Sequence, residues 1–154
     1  MENDRRFVLL GAIEAGKTTL FNALTGKREA ALKTQAMEYG RDVVDTPGEF
    51  FSHPRLYHAL ITTAAEADVL VYVHACDDRE YRLPPGLLGV NAGKRVIGVI
   101  TKIDLPGADP DAVECLLRRH GFDGQVFRVS AHQPETIARF KAQLYGLQER
   151  RTTS

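Results

Sequence analysis

Gly11 and Gly16 enclose four residues and are followed at once by Lys17 and Thr18, a spacing that lets a backbone wrap an anion. Glycine at both ends allows tight turns and brings successive N–H groups close to phosphate oxygens, while a helix opening at the same point aims its positive end at the same charge. Lys17 adds a mobile point charge, and the Thr18 hydroxyl has the reach to ligate a magnesium ion shared with the outer phosphates. The run Ala12, Ile13, Glu14, Ala15, Gly16, Lys17, Thr18 and Thr19 is therefore expected to cradle the phosphates of a nucleotide. The bland alternative is a glycine-containing turn that happens to end in Lys-Thr, and the run by itself says only phosphate.

Three further groups fall where strands are expected to end. In Asp45-Thr46-Pro47-Gly48 the carboxylate can hold magnesium through a water, and the Gly48 N–H can reach a terminal phosphate with no side chain in the way. In Thr101-Lys102-Ile103-Asp104 a fixed carboxylate can accept two hydrogen bonds from the N1–H and N2–H₂ edge of guanine, which adenine cannot offer, while the Lys102 stem lies over the base. Charge-assisted bonds of about 1.5–3 kcal/mol each discriminate amply if both form. Ser130-Ala131, the weakest signal, can present a backbone N–H to guanine O6.

The elements that must position these groups alternate. Phe7–Leu10 reads as a buried strand and the residues from Thr19 to Leu24 as a helix with an apolar face, closed by Thr25-Gly26. Short extended segments follow at 36–39 and 42–45, turned by Gly40-Arg41. A helix over 54–66 leads into an apolar, β-branched strand over 67–74, and 95–101 is another. Residues 83–88 read as a loop with one irregular helical turn. The 111–120 segment puts Val113, Leu116, Leu117 and His120 on one helical face before Gly121, 125–130 is the last strand, and 134 to about 148 carries Ile137, Phe140, Leu144 and Leu147 as a stripe. Five or six mostly parallel strands with helices on both faces make a three-layer α/β sandwich. One domain over 1–150 with a short tail, 151–154, is expected.

Composition bounds the partners. The chain has 154 residues, 44% hydrophobic and 26% charged, with 20 basic and 20 acidic side chains, so no large positive field points to nucleic acid or anionic lipid. No apolar run is long enough for a membrane span, residues 1–6 show no signal region, and the last four carry no cysteine for prenylation, which makes the cytoplasm the expected location. Cys76 and Cys115 lack metal-ligand spacing and read as reduced thiols.

In this order and at these spacings the four groups resemble the small-GTPase family of P-loop proteins over essentially the whole chain. Within it, the stretch from Thr34 to Tyr39 and the run from Asp45 to Arg55 are similar to the EutP/PduV group associated with bacterial ethanolamine and propanediol utilisation. The resemblance implies a Ras-like sheet, Mg²⁺ with GTP or GDP (ATP being the alternative), and two switch segments that change order with the terminal phosphate. It places Thr34 as a switch threonine closing on magnesium and that phosphate, although a plain loop threonine is the competing reading. Lys17, Thr34, Gly48 and Glu49 become the candidate catalytic set and Thr18, Thr34 and Asp45 the metal set.

Departures from the family pattern shape the mechanism. Ten residues separate Thr34 from Asp45, too few for a long antiparallel hairpin, so the second strand must be short or missing. Glu49 stands where many relatives carry a water-orienting glutamine, and a carboxylate beside a triphosphate predicts slow intrinsic hydrolysis. Glu14 occupies the position of an asparagine in potassium-dependent relatives; it either ligates a monovalent cation or, the favoured reading, points outward. Thr101 replaces an asparagine, which puts one loop-fixing hydrogen bond in doubt and predicts a looser guanine preference.

Two functional classes follow, with the sequence favouring the first. One is a slow GTPase switch acting on a microcompartment shell or its enzymes. The other is a phosphotransferase passing the terminal phosphate to a small acid such as acetate, with His53 or Arg55 holding the acceptor. A nucleotide-binding structural protein without turnover is a weaker third, so whether the chain is an enzyme stays open at this level. His53, Arg55 and His58 otherwise read as solvated residues, and His74 and Asp77 receive no role.

Overall fold

A computed structural model of the chain describes residues 6–25, 38–39, 43–48, 53–83, 86–90 and 93–153. The strands are β1 (Phe7–Leu10), β2 (Glu38–Tyr39), β3 (Val43–Asp45), β4 (Val69–Ala75), β5 (Arg95–Thr101) and β6 (Gln125–Arg128). The helices are α1 (Lys17–Thr25), α2 (Tyr57–Ala65, entered through a 3₁₀ turn at Pro54–Leu56), α3 (Leu87–Val90), α4 (Pro110–Arg119) and α5 (Pro134–Thr153). They build one six-stranded sheet in the order β2-β3-β1-β4-β5-β6. Five strands run parallel, and β2 pairs antiparallel with β3 through Glu38↔Asp45 and Tyr39↔Val44.

Alternation along the strands makes two cores. Phe7 and Leu9 of β1 and Val69, Val71 and Val73 of β4 face one side, where Leu20, Phe21 and Leu24 of α1 and Phe140 and Leu144 of α5 cover them. Val8, Leu10, Leu70 and Tyr72 face the other, against Leu60 and Ala64 of α2 and Leu117 and Phe122 at the end of α4. Every residue of β1 and β4 is buried, as a strand covered on both faces requires. The result is the expected three-layer α/β sandwich. Because the main strands are parallel, the ends of β1, β3, β4, β5 and β6 open on one edge, with the reversal of strand order at β1.

Boundaries moved for local reasons. The strand expected over 67–74 begins at Val69 and ends at Ala75, because Asp68 and Val69 donate N–H bonds to Arg6 and anchor the strand there. The last strand stops at Arg128, and Ser130 instead bridges Gln133. The 83–88 turn forms as α3, shifted to Leu87–Val90. In α4 the Asp109 side chain caps the Ala112 N–H at 3.2 Å with Pro110 behind it, and Gly121 at φ 95° ends the helix. His120, expected on the apolar face, lies exposed at that end and stacks on Tyr81 with ring centroids 4.5 Å apart. Helix α5 runs past the expected end near 148 to Thr153. Of the second strand the described part is Glu38–Tyr39, and 36–37 and 40–42, where its expected brevity would be judged, lie outside the described residues.

Candidate functional site

The loop between β1 and α1 is wound tightly. The Ala15 N–H donates to the Ala12 carbonyl at 3.1 Å, Glu14 and Gly16 take φ values of 68° and 90°, and Lys17 begins the helix two positions before Thr19, where the sequence suggested it. The first turn of α1 carries no acidic side chain, so nothing on the helix itself neutralises the positive end facing the loop. Ile13 and Glu14 are exposed and Ala15 is buried.

Asp45 at the end of β3 faces that loop from the neighbouring strand. Its carboxylate is fully buried, accepts from Lys17 Nζ at 3.0 Å and from the Thr18 hydroxyl at 3.1 Å, and Lys17, 5% exposed, also donates to the Thr46 carbonyl. Thr46 is pinned in turn by its hydroxyl bond to the Leu9 carbonyl at 2.8 Å, which joins β3 to β1 side chain to backbone. Gly48 presses on the loop so closely that a Cβ would lie 2.8 Å from the Ile13 nitrogen. An ammonium, a hydroxyl and a carboxylate therefore meet within one buried cluster. The hydroxyl and carboxylate oxygens are the hard donors magnesium takes. Among the described residues no group of three or more His, Cys, Asp or Glu is placed to hold a metal.

The ends of β5 and β6 form the second half. Thr101, buried, donates its hydroxyl to the Ala15 carbonyl at 2.6 Å, and Lys102, at φ 63°, donates from Nζ to the Glu14 carbonyl at 2.8 Å. The bond in doubt for Thr101 is thus made, with a hydroxyl where an amide was expected. Ser130 donates to Asp104 Oδ1 at 2.6 Å and receives the His132 N–H at 3.0 Å. The Ser130 hydroxyl bond holds the Asp104 carboxyl below the ordinary carboxylate range, with the His132 charge assisting. A cavity of about 350 Å³ opens between these groups, lined by Gly16, Thr19, Thr101, Lys102, Asp104 and Ala131 together with Leu20, Ala23, Val129, His132 and Ile137.

The structure therefore brings together Gly16, Thr19, Thr101, Lys102, Asp104 and Ala131 on one cavity, and Lys17, Thr18, Asp45 and Gly48 on the adjoining cluster. Thr34 and Glu49 lie outside the described residues. His53, Arg55 and His58 are exposed at the turn before α2 and on its first turn. Sequence reasoning missed Thr136, whose hydroxyl accepts the Ser130 N–H at 2.9 Å, and the apolar wall of Leu20, Ala23 and Ile137. The one signal for them was the helical spacing that puts Leu20 and Ile137 towards the sheet; Ala23 is exposed.

His74, left without a role, is buried in a polar relay. The Tyr72 hydroxyl accepts the Arg82 N–H at 3.1 Å, which leaves its own hydrogen for His74 Nδ1 at 2.8 Å and so sets His74 Nε2 as donor to the Asp78 carbonyl at 2.8 Å. Burial pushes the Tyr72 hydroxyl up and the His74 imidazole down from their ordinary values. Asp77 is exposed.

The family described as ethanolamine utilisation and propanediol utilisation matches residues 4–145. The chain belongs to this PduV-EutP family. It is 50% identical over 146 residues to the protein named "Probable acetate kinase EutP" of Salmonella typhimurium, covering 94% of this chain and 92% of that one. It is 37% identical over 101 residues to "Propanediol utilization protein PduV" of Citrobacter freundii, covering 66% and 67%. Among solved structures, one titled as a probable GTP-binding protein engB superposes at a TM-score of 0.69 with 16% identity, covering 94% of this chain and 99% of that one. That likeness shows that this PduV-EutP family member shares the fold of that protein.

Proposed function

We propose that the chain is a magnesium-dependent GTP-binding protein with slow hydrolysis, serving ethanolamine or propanediol utilisation. The observation that carries this reading is the double tie between base side and phosphate side. Thr101 and Lys102 bond consecutive carbonyls of the phosphate loop, so the cavity walled by Asp104 and Ala131 adjoins the Lys17 cluster at a fixed distance. Trans peptide planes point a carbonyl and the following N–H in opposite directions, so holding the Ala15 carbonyl on Thr101 turns the Gly16 N–H away from Thr101. Asp104, fixed by Ser130, offers acceptors alone, which suits the N1–H and N2–H₂ edge of guanine. Ala131 supplies the N–H for O6.

In this reading the amides from Ala12 to Thr19 and Lys17 hold the phosphates, and Thr18 and Asp45, completed by Thr34, hold Mg²⁺. Bound magnesium neutralises charge on the outer phosphates. Gly48 donates its N–H to the terminal phosphate, and Glu49, in place of a glutamine, keeps turnover slow. A monovalent cation at Glu14 is the minor alternative, since Glu14 is exposed. The reading extends to one P-loop domain over 1–150, a cytoplasmic location and a shell or enzyme partner in a microcompartment; the family's description supports the link to ethanolamine and propanediol utilisation.

A phosphotransferase reading draws on the printed name of the Salmonella relative. Its acceptor residues, His53 and Arg55, are both exposed. Titration with labelled GTP, GDP and ATP, followed by product analysis with and without acetate, separates the two. The guanine nucleotides are expected to bind in preference to ATP and to yield free phosphate; acetyl phosphate would establish the other reading, and no binding at millimolar nucleotide would end both.

A further inference from the structure

Asp45 and Lys17 form an ion pair that is sealed from water: the carboxylate is 0% exposed, the lysine 5%, and the N–O distance is 3.0 Å. The same carboxylate takes the Thr18 hydroxyl on its other oxygen, and the Lys17 ammonium is completed by the Thr46 carbonyl. The two oxygen groups that would ligate magnesium are thus both engaged, with Lys17 the positive charge on Asp45 among the described residues.

We infer that Lys17 acts as an internal counter-ion that keeps divalent metal off Asp45 and Thr18 until an anion draws the ammonium away. The inference rests on the phosphate-binding reading above and adds an order to it: phosphate before metal. A divalent cation arriving at Asp45 meets a unit positive charge 3.0 Å from the oxygen it needs, in surroundings that screen little. Lys17 cannot yield by swinging into an apolar wall, since a buried ammonium without a partner is costly. A phosphate group in the loop removes both obstacles, because it accepts the ammonium and brings its own oxygens to the metal. Asp45 then exchanges a monovalent partner for a divalent one, and the buried charge stays compensated throughout.

Binding of Mn²⁺ to the full chain, read from the water-proton relaxation or paramagnetic signal of free metal, tests this. Wild type is expected to take up Mn²⁺ with inorganic pyrophosphate present at least about tenfold more tightly than without it, and Lys17→Met to take up Mn²⁺ without any anion better than wild type does. Equal Mn²⁺ affinity of wild type with and without pyrophosphate overturns the inference, as does a folded Lys17→Met that gains none. Should Lys17→Met fail to fold, Asp45→Asn supplies the converse. With its carboxylate gone, Lys17 is released, and pyrophosphate affinity in excess chelator is expected to rise above wild type by several-fold; an unchanged or lower affinity overturns the inference. A wild type that binds no GTP, GDP or ATP would refute the nucleotide reading yet leave the Lys17→Met gain of metal intact, so the two failures are told apart.

Discussion

The Thr101 hydroxyl sits 2.6 Å from the Ala15 carbonyl and donates its single hydrogen to it, joining the end of β5 to the loop that opens α1 across 86 residues of sequence. Both partners are buried, so neither can fall back on water. Thr101→Val keeps the shape and removes the donor. It leaves the Ala15 carbonyl unpaired and is expected to cost about 1–3 kcal/mol of stability, read from urea unfolding, and to weaken binding of bare pyrophosphate together with GDP, because the 15–16 peptide loses its anchor. Thr101→Ser should restore both. Loss of GDP affinity with pyrophosphate affinity unchanged would show that Thr101 touches only the base.

Asp104 carries the proposed choice of purine. Ser130 fixes one of its oxygens at 2.6 Å and holds the carboxyl ionised at any pH near neutrality. Asp104→Ala is expected to lower GTP affinity by about a hundredfold or more while leaving ATP affinity nearly unchanged, since two charge-assisted bonds vanish for guanine alone. Competitive displacement of labelled GDP measures both. A variant that loses GTP and ATP equally would mean that Asp104 supports the cavity rather than reads the base.

How far the sequence reached can be judged on these same residues. The phosphate loop was legible because its chemistry needs a local spacing, Gly11 to Thr18, and because the flanking strand and helix announce themselves by period. Asp45 and Asp104 were legible as strand-end carboxylates. What spacing could not reveal was mutual engagement: that Thr101 reaches Ala15, that Ser130 grips Asp104 and Thr136 grips Ser130, or that Lys17 and Asp45 satisfy one another. These are contacts between distant segments, set by strand order rather than by neighbours in sequence. His120 was misplaced on the apolar face because helical period continues through a residue that the chain uses as a cap, where Gly121 already turns the backbone away.

The His74 relay predicts a pH response with a definite sign. Burial lowers the native imidazole below its ordinary 6.5, so between the native and unfolded values the unfolded chain binds more protons. Stability therefore holds above about pH 6.5 and falls as pH drops below it. Protonation would also place a hydrogen on Nδ1, opposite the Tyr72 hydroxyl that now donates to it. Asp78 does not blur this window. Burial raises its carboxyl, but the Arg82 bonds at 2.8 and 2.9 Å, the Glu80 N–H and the neighbouring positive charge together outweigh burial and hold it below 3.8, so its share is lost only under much stronger acid. Urea midpoints compared between about pH 7.5 and 5.5 should fall for wild type and change less for His74→Asn. Equal slopes would remove His74 as the cause.

Gly48 is the point where the β3 end meets the phosphate loop, and its backbone has no room for a side chain. A methyl there would lie 2.8 Å from the Ile13 nitrogen and 2.9 Å from its Cα, and backbone cannot step aside as a flexible side chain can. Gly48→Ala must therefore push the Ile13–Glu14 peptide or Gly48 itself, at a cost of about 1–3 kcal/mol. The displacement falls on the same loop whose Glu14 carbonyl accepts from Lys102 Nζ at 2.8 Å, so the neighbouring peptide is already held. The base cavity touches neither Ile13 nor Gly48. Pyrophosphate affinity is accordingly expected to fall by about tenfold while guanosine, which lacks phosphate, competes for the cavity as well as it does in wild type. Should Gly48→Ala bind pyrophosphate with wild-type affinity, the loop and the β3 end would have to yield independently, and Gly48 would lose its place in the site.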